Sequence, residues 1–144
     1  MAAVPTAPGL ARSFVRRTLR AWVLGDLAAD AEIIASELVT NAVKATEEVT
    51  SPLADRQDAA IVVQLQVRDD ALRISVKDTS REQPVLQAVG DDAEGGRGLF
   101  LVEALSMRWD SVPAYEGKVT WADLALGKAA QHVPRPDVRV PRQV

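Results

Sequence analysis

Glu37 and Asn41 lie four residues apart in Ser36-Glu37-Leu38-Val39-Thr40-Asn41-Ala42-Val43, inside a stretch whose apolar residues recur at helical spacing. One helical turn brings the two side chains to the same face, beside the apolar arc rather than opposite it, so both border the core. An amide oxygen there can coordinate Mg²⁺, which takes hard oxygen ligands and fills the rest of its shell with water and phosphate. A carboxylate one turn away can take a proton from an attacking hydroxyl. The same two residue types also fit the polar margin of any amphipathic helix, and alone the pair does not choose between these roles. Lys44 continues the row, placed either to approach a phosphate or to sit solvated or salt-bridged.

Two further places carry chemistry. Asp78 has the same alternation parity as Leu72, Ile74 and Val76, so the pattern that buries those side chains also turns a carboxylate inward at a strand end. A buried carboxylate needs hydrogen-bond donors, from a ligand amine or from the N–H groups of the turn Asp78-Thr79-Ser80. In Gly95-Gly96-Arg97-Gly98-Leu99, glycines directly before a helix let backbone N–H groups approach an anion at the positive end of the helix dipole. A plain flexible linker has the same composition. The run is no Walker A loop, for no Gly-Lys-Ser/Thr follows, and no Rossmann fingerprint, for a polar loop rather than a strand precedes it.

The elements that must hold these groups follow from periodicity. Ala11, Phe14, Val15, Leu19, Trp22 and Val23 predict a first amphipathic helix with Arg12, Arg16, Arg17 and Arg20 on its far side. Gly25 is suited to close it in a left-handed conformation and Asp26 to cap a second helix running to about Glu48. After a loop over residues 50–58 the period changes to two: Ile61, Val63, Leu65 and Val67, then Asp69-Asp70 as a turn, then Leu72, Ile74 and Val76 predict a hairpin. Residues 81–97 read as a polar loop, and a short helix follows from about Gly98. Two more strands are expected near residues 107–112 and 118–126, and the tail from Gly127, with Pro134, Pro136 and Pro141, as largely disordered. This order predicts an α+β two-layer sandwich, a mixed and mostly antiparallel sheet with helices on one face. The domain is expected over residues 11–126, between an N-terminal extension at 1–10 and the tail at 127–144.

Bulk composition narrows the function classes. At 144 residues and 47% hydrophobic content the chain can build one buried core. With 26% charged residues and a formal net charge of -3 it has no global basic field for nucleic acid or an anionic membrane, so an anionic ligand must be held locally. No run is long and apolar enough to span a bilayer and no secretory signal pattern opens the chain, so a cytoplasmic location is expected. Zero cysteines and the single His132 exclude a disulfide framework, a thiolate nucleophile, a Cys/His zinc site and a Ser-His-Asp triad.

Glu37-x-x-x-Asn41, Asp78-x-Ser80 and Gly96-x-Gly98 occur in the order found in the GHKL ATPase superfamily, and within it the chain most resembles the single-domain bacterial anti-sigma-factor kinases. Leu101-Val102, Arg108-Trp109, Gly117-Lys118 and Trp121 extend the likeness, which runs from about Ala11 to Leu126. The resemblance implies a Bergerat-type fold that binds ATP and Mg²⁺, with Asn41 holding the metal and Asp78 accepting from the adenine amino group. It implies that Gly96 and Gly98 let a loop close over the phosphates, that Lys44, Ser80, Arg97, Leu99 and Thr120 line the nucleotide, and that Glu37 activates the attacking hydroxyl. Residues 83–94 would be the lid. The chain departs from the pattern at Arg81, where proline is common, at Lys44-Ala45-Thr46, where His or Arg is frequent, and at Val119-Thr120, which reverses a common Thr-Val order and so shifts the hydroxyl by one residue. Only about ten residues precede the first helix, so the usual leading edge strand, and the family dimers that use this edge, are not expected, although a homodimer is compatible with the sequence.

Transfer of the γ-phosphate to a Ser or Thr of a protein partner, by analogy an anti-anti-sigma protein, is the expected function, with a sigma factor as a second partner. A non-catalytic ATP-dependent module that sequesters a sigma factor or another regulator is the alternative. A histidine-kinase fragment would need an acceptor histidine on a dimerisation helix, and His132 in the tail does not supply one.

Overall fold

The computed structural model describes residues 7–49, 61–78, 94–114, 117–127 and 138–140. The helices are α1 (Ala7–Ala21), α2 (Ala28–Val49) and α3 (Glu94–Leu105), and the strands β1 (Val62–Arg68), β2 (Ala71–Asp78), β3 (Arg108–Ala114), β4 (Gly117–Ala125) and β5 (Val138–Val140). They form a two-layer α+β sandwich. The sheet runs β3-β4-β2-β1-β5, and every described pairing is antiparallel.

Period-two alternation decides which side of the sheet is buried. Val63, Leu65 and Val67 of β1 stand opposite Val76, Ile74 and Leu72 of β2, and Leu72 and Ile74 stand opposite Leu124 and Ala122 of β4. Their common inner face meets the apolar stripe of α2, made by Ala31, Ile34, Ala35, Leu38, Val39 and Ala42, and Val15 and Leu19 of α1 complete the core. One ion pair and one hydrogen bond tie α1 to α2. Arg16 Nη2 lies 2.8 Å from Glu32 Oε1, and Arg12 Nη1 donates to Ser36 Oγ at 3.0 Å, one residue before Glu37.

Three elements differ from the sequence reading. The first helix is closed by Val23, not by Gly25: Val23 takes the left-handed conformation at φ 59°, its N–H bonds to the Arg20 carbonyl at 3.2 Å, and the Leu24 N–H bonds to the Leu19 carbonyl at 2.8 Å. This is a Schellman closure, and Leu19 and Leu24, both buried, make the apolar contact that accompanies it. Gly25 and Asp26 instead form a short 3-10 turn, Gly25–Leu27, that leads into α2. The third helix begins at Glu94, so Gly95, Gly96, Arg97 and Gly98 lie within it rather than ahead of it. The four leading N–H groups of any helix lack intrahelical partners, so the glycines still stand where a helix offers backbone donors. Finally, the tail is not featureless. Val138–Val140 pair with Val63 to Leu65 and cover part of the β1 edge, because an unpaired row of strand amides and carbonyls accepts even a short strand.

The outer face of the sheet carries a charge cluster that sequence reading missed. Asp123 is fully buried and accepts from Arg73 through Nε at 2.8 Å and Nη2 at 2.9 Å, and from Arg108 Nε at 2.7 Å. Arg108 also bonds Asp70 at 2.9 Å, and the Arg73 guanidinium lies 3.8 Å above the Trp121 ring. Planar guanidinium groups suit both contacts, one as a two-toothed clamp and the other as a stack. Arg73 and Asp123 are direct cross-strand partners, so the cluster ties β2, β3 and β4 together. The one available hint was parity, which sets Asp123 on the same face as Arg73.

Candidate functional site

Asn41 marks the site most directly. Among the described residues, its amide nitrogen Nδ2 is the one buried side-chain polar atom without a hydrogen-bond partner. Buried polar groups are nearly always paired, so an orphan of this kind needs a reason. A half-turn about the Cβ–Cγ bond exchanges amide nitrogen and oxygen, so the same position can present an oxygen to a cation. Glu37 lies one turn earlier on the same row of α2 and is half-buried, as is Lys44 one turn later. The row stays in place because the adjoining stripe of α2 is locked into the core, and because α2 packs against β2, β4 and α3.

A second polar set faces inward from the end of the sheet. Asp78 is 2% exposed at the last position of β2, and its cross-strand partner is Lys118, 5% exposed. Lys118 Nζ lies 3.4 Å from Asp78 Oδ1 and 3.3 Å from Oδ2. Thr120 is buried on the same inner face, with its hydroxyl 3.0 Å from that of Ser111 on β3. The reversed Val119-Thr120 order therefore does not take the Thr120 hydroxyl off the face that carries Asp78. Lys118 is the residue sequence reading passed over. Its parity with Thr120, Ala122 and Leu124 put it inside, but its pairing with Asp78 depends on a strand register that spacing does not reveal.

The glycine-rich segment forms the first part of α3, whose Leu99 and Val102 are buried in the packing. Trp109 Nε1 donates to Glu103, tying α3 to β3. Ser80 and residues 83–93 of the expected lid lie outside the described residues, as does His132. The described residues hold no cluster of three acidic or histidine side chains that could bind a metal by themselves. A single amide oxygen such as that of Asn41 suits a cation that takes most of its ligands from phosphate and water.

A family model described as the histidine kinase-like ATPase domain matches residues 1–124. The chain belongs to that family. Membership supports ATP binding, and the inward Asp78, the orphaned Asn41 amide and the glycine-rich helix start give a histidine kinase-like ATPase domain the kinds of group that a nucleotide needs. A comparison with curated proteins found no match. The strand β5 falls outside the matched span. No described helix is long and apolar enough to cross a membrane.

Proposed function

We propose that this histidine kinase-like ATPase domain is a regulatory protein serine/threonine kinase of the anti-sigma-factor type. It transfers the γ-phosphoryl group of ATP to a hydroxyl of a partner protein. The observation that carries the reading is the buried, unpartnered amide of Asn41 one helical turn from Glu37. Asn41 suits Mg²⁺, which when bound would offset the negative charge of the phosphates. Glu37 takes the proton of the partner hydroxyl as its oxygen bonds the γ-phosphorus, the bond from phosphorus to the β,γ-bridging oxygen breaks, and ADP leaves. Asp78 accepts from the base, and the leading amides of α3 face the phosphates.

The test is direct. Purified chain is incubated with γ-labelled ATP, Mg²⁺ and a partner recovered by affinity capture, and label is followed to Ser or Thr of the partner. Glu37→Gln is expected to lower transfer by about 10²- to 10⁴-fold, the usual contribution of a general base, while nucleotide binding persists. Nucleotide binding without transfer to any captured partner would overturn the kinase reading in favour of an ATP-dependent sequestering module.

A further inference from the structure

Lys118 is a buried lysine that the phosphoryl-transfer reading does not use. Among the described residues its ammonium meets one partner, the carboxylate of Asp78, across 3.3 and 3.4 Å. Charge-assisted hydrogen bonds normally close to about 2.7–2.9 Å, so this pair is held side by side by its strands rather than locked together. An ammonium carries three donors and a carboxylate about four acceptor positions, so neither group is exhausted by the other. A purine above the pair would meet an acceptor and a donor together.

That changes what the base site can read. A lone buried carboxylate favours a 6-amino purine, whose amino group donates, and repels the carbonyl oxygen of a 6-oxo purine. Sites built on such hydrogen bonds reject the mismatched analogue by large factors, because a buried polar group is left unpaired. With Lys118 beside Asp78, adenine can donate its 6-amino group to Asp78 and accept at N1 from Lys118. Guanine can accept at O6 from Lys118 and donate N1–H to Asp78. The flexible stem of lysine allows its ammonium to turn to either position.

We propose that Lys118 is a base-reading residue and that the Asp78–Lys118 pair admits guanine as well as adenine nucleotides. This rests on the reading of Asp78 as the base-binding residue. The experiment displaces a fluorescent ATP analogue from the full chain with ATP, GTP and CTP in the presence of Mg²⁺, for the wild type and for Lys118→Thr. The wild type should bind GTP within about tenfold of ATP and CTP more weakly than either. Lys118→Thr should lower the GTP-to-ATP affinity ratio at least tenfold. A wild-type preference for ATP above about 100-fold overturns the proposal, as does a ratio that the substitution leaves unchanged. If Lys118→Thr does not fold, the wild-type ratio decides alone. Binding of none of the three nucleotides, nor of the analogue, removes the nucleotide-site reading itself and this proposal with it.

Discussion

Asn41→Ala is expected to make the empty protein more stable while removing its response to nucleotide. An unsatisfied buried polar group costs about 1–3 kcal/mol, and Asn41 Nδ2 is buried without a partner. Within the helix α2, replacing asparagine by alanine adds about 0.6 kcal/mol of intrinsic propensity. Against these gains stands the loss of packing by the amide, limited to about 1 kcal/mol because Asn41 as a whole is only half-buried. The balance is a gain of about 1 kcal/mol. For the wild type, Mg²⁺-ATP at a hundred times its dissociation constant adds about 2.7 kcal/mol of apparent stability by mass action. The variant should lose that increment. Urea denaturation followed by the fluorescence of Trp22, Trp109 and Trp121, with and without Mg²⁺-ATP, measures both quantities. A variant less stable than the wild type by more than 1 kcal/mol without ligand would show that Asn41 is structural, and a full nucleotide increment in the variant would show that it holds no part of the ligand.

Three further expectations concern the scaffold. Asp123→Ala strips two arginines of a fully buried acceptor; because the Arg73 and Arg108 side chains are 20% and 44% exposed and can recover some water, the loss should be near the low end for a broken buried pair, about 3 kcal/mol, or about 10 °C in Tm by differential scanning fluorimetry. Val23→Gly should raise stability in urea by about 1 kcal/mol, since a left-handed conformation costs an L-residue about 1–2 kcal/mol and glycine returns part of the gain through its freer unfolded chain. The hydrogen bond from Arg108 holds the Asp70 carboxyl below its ordinary value, so its contribution is present above the unfolded pKa of about 3.9 and is lost as pH falls through the lower folded one. The stability difference between wild type and Asp70→Asn should accordingly be flat near neutrality and shrink below about pH 4, and a difference that grows on acidification would contradict the assignment.

Where a local pattern dictated structure, the residues could be read. Leu65 and Ile74 alternate with polar neighbours on either side of Asp69-Asp70, and they pair across β1 and β2. Glu37 and Asn41 share a row because helical spacing leaves no other arrangement. What escaped reading depends on the third dimension. Val23 is left-handed because Leu24 must reach the core beside Leu19, a demand that outweighs the presence of Gly25 two residues on. β5 exists because β1 offers an edge, and its three residues show nothing by themselves. Lys118 and Asp123 each looked like an ordinary charged strand residue until the register gave each its partner.

That register links the two faces of the sheet. Read inward along their paired strands, Leu72, Ile74, Val76 and Asp78 meet Leu124, Ala122, Thr120 and Lys118, so both strands turn from apolar to charged towards the same end. One face thus serves as core at one end and as a polar site at the other. A slip of one residue would throw Asp78 to the outer face, and a slip of two would separate it from Lys118 by about 7 Å at the usual rise per residue. Hydrophobic alternation forbids the first slip but is indifferent to the second. The second is opposed on the outer face, where Arg73 and Asp123 are themselves direct partners and a two-residue shift would leave the buried Asp123 without its clamp. A charge cluster on the opposite face of the sheet therefore helps to fix which side chain stands beside Asp78.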